Sequence, residues 1–313
     1  MTAPLPSAVP SAALLFAAPA LLVFNPGAGG SSETSPAALL AGLRALGHPD
    51  VQCLETGDDL PQRLAGARGL VYVAGGDGTM RRVACALAGR PEVVLAPLPL
   101  GTANNVARSL DLEGPPEDVL ERYRHARPAP LDLGRVRAPW GEDLFLEACG
   151  CGAFAHALAE YGPEEGKSPL RAVQALARTL GGFTPLPLAL SVDGEMQAVT
   201  PLALLEVMNA RAVGPRLQLA PQAELGDGLL NLIQIGAERL DGALAYVAAL
   251  ARGTLAELPS VESREVGRID IPYLGQVFHV DDEVRAAQPG ETGTVSVSLW
   301  AGAIQMLRPE PGA

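Results

Sequence analysis

Residues 71–80 read Val-Tyr-Val-Ala-Gly-Gly-Asp-Gly-Thr-Met, a β-branched and aromatic run that ends in three glycines around one carboxylate. Glycine lets backbone N–H groups approach an anion closely. A helix opening behind such a turn, over Met80–Leu87, adds unpaired donors and the positive end of its dipole. This combination suits a phosphate. Asp77 repels a bare phosphate and is better matched to a metal ion or a ligand hydroxyl. A plain strand-to-helix turn with Thr79 as N-cap is the other reading. A second constellation is Asp281-Asp282-Glu283. Read on a strand, Asp281 and Glu283 project to one face. Paired carboxylates raise one another's pKa, which suits a general base taking a hydroxyl proton. A solvated acidic hairpin fits the same triplet. Asp193-Gly194-Glu195 looks similar but falls where a hairpin turn belongs, and reads as structural.

The elements that must position these residues change character along the chain. Up to about residue 130, strands and helices alternate. The strands are Leu21–Asn25, Val51–Leu54, Leu70–Ala74 and Val93–Pro97. The helices lie near Ser35–Leu46, Leu60–Ala67, Met80–Ala88, Ala103–Leu110 and Glu117–Arg124. Alternation of this kind implies a parallel sheet with helices on both faces. Ligands then sit at the carboxyl ends of the strands. Three polar turns lie there: Asn25–Gly30, Gly75–Thr79 and Gly101–Asn105. After Pro128-Ala129-Pro130 come short alternating runs separated by turns such as Asp193-Gly194 and Asp227-Gly228, the pattern of an antiparallel sandwich. Helical insertions are expected near Ala153–Glu160, Pro169–Leu180 and Leu240–Arg252, with a mobile loop at Tyr161–Ser168.

Composition narrows the function. The 313 residues suffice for two domains. The net charge of −12 argues against nucleic acid as a partner and against a strong anchor on anionic lipid. Lys167 is the only lysine. A Walker-type loop needs a Gly-Lys-Ser/Thr ending and is excluded. Phosphate binding must therefore use backbone amides, arginine or metal. No apolar stretch reaches the roughly 18–20 residues of a membrane span. The first basic residue is Arg44, so Met1–Phe24 lacks the charged start of a signal peptide. Cys53, Cys85, Cys149 and Cys151 do not form a disulfide framework.

In order and spacing, Asn25-Pro26, Gly75-Gly76-Asp77-Gly78-Thr79 and Pro99-Leu100-Gly101-Thr102-Ala103-Asn104 resemble the bacterial diacylglycerol and lipid kinases, relatives of sphingosine and ceramide kinases. The likeness continues through Leu131-Asp132-Leu133-Gly134, Asn209, Gly214, Ala220-Pro221, Ala223 and Asp227-Gly228-Leu229 to Val280-Asp281-Asp282-Glu283. NAD kinases, of the same superfamily, share the Gly-Gly-Asp-Gly loop but not the later motifs. The resemblance implies a Rossmann-like α/β nucleotide-binding domain, a C-terminal β-rich sandwich, and an active site in the cleft between them. The expected divisions are a loose extension (1–15), a nucleotide domain (16–130) with 300–313 packing back on it, and a lipid-substrate domain (131–299).

What the resemblance implies for function is transfer of the γ-phosphate of ATP, with Mg²⁺, to a lipid hydroxyl such as that of diacylglycerol. Nucleotide binding would fall to Asn25, Pro26, Gly27, Gly29, Thr56, Gly75, Gly76, Asp77, Gly78, Thr79, Gly101, Thr102 and Asn104. Asp77 would hold the catalytic Mg²⁺. Glu283 would take the proton, with Asp281 as its acidic partner. Glu224, Asp227 and the Leu229 carbonyl would hold a structural Mg²⁺. The setting would be cytoplasmic with transient membrane contact, the partner a lipid at the membrane surface, and any self-association a homodimer. Three departures from the family pattern stand out: Arg81-Arg82 after Met80, Asn105 for an aspartate, and Asp282 for a glycine. They keep open a catalytically weakened nucleotide-binding or regulatory protein of the same fold. A kinase for a soluble alcohol is the third reading.

Overall fold

The computed structural model describes residues 19–31, 34–160, 169–236, 241 and 243–310. The expected extension at 1–15, the loop at 161–168 and the start of the helix expected from Leu240 lie outside them. The chain divides into two compact units. One runs to Asp132 and resumes at Ala301; the other is Leu133–Trp300.

The first unit opens with β1 (Ala20–Phe24), α1 (Pro36–Leu46), β2 (Gln52–Glu55), α2 (Leu60–Leu64), β3 (Gly69–Gly75) and α3 (Asp77–Leu87). It continues with β4 (Val93–Pro99), α4 (Asn105–Ser109) and α5 (Pro116–Arg122). Strands β2, β1, β3 and β4 pair in that order, all parallel. Beyond β4 lies the end of β17 (Gly293–Pro309), with Gln305 opposite Val94. β3 and β4 are buried almost throughout. A parallel strand covered on both faces needs such an unbroken apolar run. Helix α1 shows how local sequence sets an element. The Ser35 hydroxyl accepts the Ala38 N–H, Pro36 takes the first position, and Gly47 ends the helix in the left-handed region. Its face of Leu39, Leu43 and Leu46 is buried, worth about 1.5–3 kcal/mol per leucine side chain.

Two helix starts differ from the sequence expectation. α3 begins at Asp77 rather than Met80, because Gly76 is the extended N-cap and Asp77 fills the first turn, where a negative charge meets the dipole. α4 begins at Asn105 rather than Ala103, because Asn104 sits at φ 53°, ψ 45° and cannot be helical.

The second unit is an antiparallel sandwich. β5 (Ala126–Ala138) enters it and pairs with β6 (Gly141–Phe145). β7 (Ala148–Gly152), α6 (Ala153–Glu160), α7 (Pro169–Gly182), β8 (Leu186–Leu188), β9 (Ser191–Val192), β10 (Glu195–Met196), β11 (Thr200–Met208) and β12 (Leu230–Gly236) follow. Then come α8 (Ala243–Arg252), β13 (Val261–Val266), β14 (Arg268–Tyr273), β15 (Phe278–Val280), β16 (Glu283–Arg285) and β17. One sheet runs β13-β12-β11-β7-β15-β16, with β8 beside β11. The other contains β10-β9-β14 and the start of β17. Cys149, Cys151, Leu205, Val207, Phe278 and Val280 point from the first sheet into a core shared with Ile269, Ile271, Val295 and Val297. The opposite face of that sheet packs on Phe154, Leu176, Leu180 and Tyr246 of the three helices. Asp193-Gly194 is the β9–β10 hairpin turn, with both residues at positive φ.

The glycine of Leu131-Asp132-Leu133-Gly134 has a packing reason. Gly134 pairs with Phe145, whose fully buried ring occupies the space a Cβ at 134 would take. Replacing Gly134 with alanine should lower stability by about 1–3 kcal/mol through overpacking. Urea or thermal unfolding of the variant measures this, and an unchanged midpoint would refute the packing account.

Candidate functional site

In the first unit the strand ends converge on one polar cluster. Gly75 ends β3, Gly76 caps α3, and Gly101 follows β4. A Cβ on Gly101 would lie 2.5 Å from the Gly76 Cα, and one on Gly76 would lie 3.1 Å from the Gly101 Cα. The two turns therefore touch backbone to backbone. The Leu100 N–H donates to the Gly75 carbonyl at 2.9 Å, and the Gly30 N–H to the Leu100 carbonyl at 2.7 Å. A Cβ on Gly75 would strike the Thr79 side chain at 2.6 Å.

Polar side chains lace these turns together. Asn25 donates its amide to Thr79 Oγ1 at 2.8 Å. Its Oδ1 accepts the Gly27 N–H at 2.9 Å and the Thr56 hydroxyl at 3.3 Å. Asn104 Oδ1 accepts the Gly101 N–H at 2.8 Å while its amide donates back to the Gly101 carbonyl at 2.7 Å. Asp77 Oδ1 accepts the Val106 N–H at 3.1 Å, tying α3 to α4. The Gly29 Cα faces Thr102, whose hydroxyl would lie 3.2 Å from a Cβ there. Pro26 lends its carbonyl to the Ser31 hydroxyl at 2.6 Å. Asn25, Thr56, Gly75, Gly76, Asp77, Thr79, Gly101 and Asn104 are thus brought together. Cys53 is exposed on β2 and takes no part.

The N-terminus of α3 has no side-chain cap. Backbone donors of a first turn without a side-chain cap fit an anionic phosphate. Arg82 turns aside to donate to the Gly57 carbonyl at 2.5 Å.

In the second unit the acidic triplet differs from the strand reading. Asp281 sits between β15 and β16 at φ 52°, in the left-handed region, so it does not share a strand face with Glu283. Asp281 is buried. Its Oδ1 accepts the N–H of Glu147 at 2.7 Å and of Ala148 at 3.0 Å, and its Oδ2 that of Leu146 at 2.9 Å. Its role in the fold is to clamp the segment before β7. Glu283 is half-exposed and accepts from Arg285 at 2.9 Å; Arg285 also holds Asp143 at 2.8 Å. Asn209, buried, donates its amide to the Leu146 carbonyl at 3.0 Å and so grips the same segment from β11.

Glu224 and Asp227 are exposed, and Asp227 Oδ1 accepts the Leu229 N–H at 2.9 Å. These oxygens with the Leu229 carbonyl are a donor set that suits a hard cation. Among the described residues no three His, Cys, Asp or Glu side chains converge as a metal site.

Sequence reasoning missed one buried pair. Glu206 of β11 and His279 of β15 are wholly buried and bond at 2.7 Å through Oε2 and Nε2. A lone carboxylate within the apolar run Leu202–Met208 was the available signal.

Comparison with known proteins agrees with this architecture. Residues 19–136 match the diacylglycerol kinase catalytic domain, and 148–308 the YegS C-terminal NAD kinase beta sandwich-like domain. A protein of Pseudomonas putida named "Probable lipid kinase YegS-like" is 32% identical over 221 residues, 69% of this chain and 72% of that one. A diacylglycerol kinase of Mycobacterium tuberculosis is 26% identical over 246 residues, 77% of each chain. Among solved structures, a Bacillus anthracis diacylglycerol kinase gives a TM-score of 0.67 at 20% identity, covering 94% of this chain and 97% of that one. Yeast NADH kinase gives 0.50 at 9% identity, covering 93% and 83%. The fold and its glycine turns define the class, a two-domain kinase with an α/β unit and a β-sandwich. The chain belongs to the diacylglycerol kinase family of lipid kinases, phosphotransferases with an alcohol group as acceptor.

The two acidic residues should behave differently on removal. Asp281→Ala strands three backbone N–H groups and should cost about 3 kcal/mol or more, at about 1–3 kcal/mol per buried unsatisfied donor. Glu283→Ala, on a half-exposed side chain, should stay within about 0.5 kcal/mol of wild type. Chemical denaturation of the two variants distinguishes them; equal losses would contradict the clamp assigned to Asp281.

Proposed function

We propose that this protein transfers the γ-phosphate of ATP, with Mg²⁺, to the hydroxyl of a lipid, with diacylglycerol as the default acceptor. The observation that carries the reading is the backbone contact of the Gly76 and Gly101 turns, which brings the ends of β3 and β4 and the uncapped start of α3 together. The N–H groups of Gly75–Thr79 would hold the phosphates, flanked by Asn25, Pro26, Gly27, Gly29, Thr56, Thr102 and Asn104. Asp77 would hold the catalytic Mg²⁺, which when bound neutralises charge on the phosphates. Glu224, Asp227 and the Leu229 carbonyl would hold a structural Mg²⁺.

Transfer joins the acceptor oxygen to the γ-phosphorus as the bond to ADP breaks, and the acceptor proton must go to a base. Glu283 is our assignment for that base. Its carboxylate is accessible, whereas Asp281 is consumed by three N–H donors and serves to hold the turn. The lipid would be met at a membrane surface. Among the described residues no helix is long and apolar enough to cross a membrane.

The second reading is a nucleotide-binding protein with weakened transfer. Asp77 already accepting an N–H, and Arg82 standing near the cluster, favour it. Titration calorimetry with ATP and Mg²⁺, beside transfer of γ-labelled phosphate to a total lipid extract, separates the two. We expect one labelled lipid. Label confined to the aqueous phase would redirect the acceptor to a soluble alcohol, and ATP binding with no labelled product would favour the second reading. Asp77→Ala and Glu283→Gln should each cut turnover by about a hundredfold or more, the usual scale for losing a positioned acid–base or charge-stabilising group. A Glu283→Gln enzyme at full turnover would sink the base assignment.

A further inference from the structure

Three strands carry one residue each in a single row. Gly150 of β7 stands opposite Glu206 of β11 on one side and His279 of β15 on the other. Side chains on strands two apart do not normally meet, because the middle strand's side chain lies between them. Here the middle residue has none. A Cβ on Gly150 would collide with the Glu206 carboxyl group. Glu206 and His279 therefore reach over it and bond at 2.7 Å, with no solvent exposure on either. The edge of the Phe154 ring closes the site, 4.8 Å from His279 centre to centre.

The protons can be counted. His279 Nδ1 lies 2.9 Å from the Asp281 carbonyl, which can only accept, so Nδ1 carries a hydrogen. The short Nε2–Oε2 contact then needs one more proton between imidazole and carboxyl. Without it, a lone pair would face a buried carboxylate. Burial works against a charged His279, yet the Glu206 carboxylate and the bond to it hold its pKa above the ordinary histidine value. Burial likewise pushes the Glu206 carboxyl upward. Cys149 and Cys151, on the other face of β7, are driven upward by burial and by the Glu206 charge, and the Asp281 charge acts on His279.

We infer that Glu206 and His279 are positioning residues for transfer: their shared proton fixes the Asp281 carbonyl, and through it the turn that presents Glu283. The inference rests on Glu283 as proton acceptor. Its chemistry has a direction in pH. Both groups bind their proton more tightly in the fold than in the unfolded chain, so the contribution is complete at low pH and is lost as pH rises through the pair's raised value. Deprotonation should release the turn, giving turnover an alkaline limb. Glutamine at 206 can donate its own N–H to Nε2 and has no proton to lose in this range.

The test uses the full chain with γ-labelled ATP and a short-chain diacylglycerol in mixed micelles, followed across pH. Glu206→Ala should lower kcat about tenfold to a hundredfold, the scale of a 1 Å misplacement, with KM for ATP within about twofold. It should also reduce hydrogen-exchange protection at the Leu146, Glu147 and Ala148 amides. Glu206→Gln should recover most of the turnover and lose the alkaline limb. A folded Glu206→Ala protein with wild-type kcat, pH profile and protection would overturn the inference. Should that variant not fold, Glu206→Gln decides: an alkaline limb unchanged from wild type overturns it. Exchange at Leu146–Ala148 does not depend on which residue is the base. Faster exchange beside an active Glu283→Gln enzyme supports the pair and removes only the base assignment. Unchanged exchange beside an inactive Glu283→Gln enzyme removes the pair and leaves the base.

Discussion

Backbone meets backbone where the turns after β3 and β4 touch, and the first unit is organised by that approach. A Cβ on Gly101 would collide with the Gly76 Cα, and one on Gly76 would crowd the Gly101 Cα. The contact requires the two parallel strands to end level, as they do, with Gly75 opposite Pro99 and the Leu100 N–H on the Gly75 carbonyl. α3 then starts at once, with Gly76 as its N-cap. A chain whose single lysine is Lys167 is left with backbone amides, arginine or metal for any phosphate. Fixed N–H dipoles are a sound alternative, because they need no reorganisation when charge develops. Asn25 completes the arrangement by spanning three turns with one amide.

The sandwich unit repeats the device of an absent side chain for a different end. Its central strand β7 alternates Cys149 and Cys151 toward the sandwich core with Ala148, Gly150 and Gly152 toward the helices. The small face makes room for polar groups that would otherwise have no place in a core. Glu206 and His279 use it, Asn209 and Asp281 bond the segment entering β7, and all four are buried. Buried polar groups are costly unless bonded. The bonds they find here converge on residues 146–148 and the turn at 281. The acidic turn is therefore held from inside the sheet, while Glu283 remains at the surface.

The sequence was readable where one physical signal dominated. β1, β3 and β4 are apolar runs that end in glycine or asparagine, and the period-2 runs after Pro130 announce an antiparallel unit. The meeting of the turns was readable because glycines at the ends of parallel strands permit close backbone approach. The acidic triplet was read on the wrong geometry. A strand reading assumes extended backbone at every residue, and Asp281 at φ 52° breaks the alternation. The start of α3 was placed three residues late because Asp77-Gly78 looks like turn chemistry until the dipole's preference for an acidic first turn is weighed. Glu206 and His279 left no periodic trace. Each sits singly among apolar neighbours, and only the register across Gly150 joins residues 73 positions apart.

The same geometry reassigns the three departures from the family pattern. Asp282 stands where the family has a glycine, but the residue of that turn at positive φ is Asp281, and aspartate is among the residues that tolerate it. Asp282 is exposed, so its charge stays in water. Arg82 is drawn to the Gly57 carbonyl at the end of β2, where its cation braces a neighbouring loop. Asn105 is buried at the first residue of α4, beside the Val106 N–H that Asp77 accepts. A carboxylate at 105 would have to be desolvated there, a cost the neutral amide avoids.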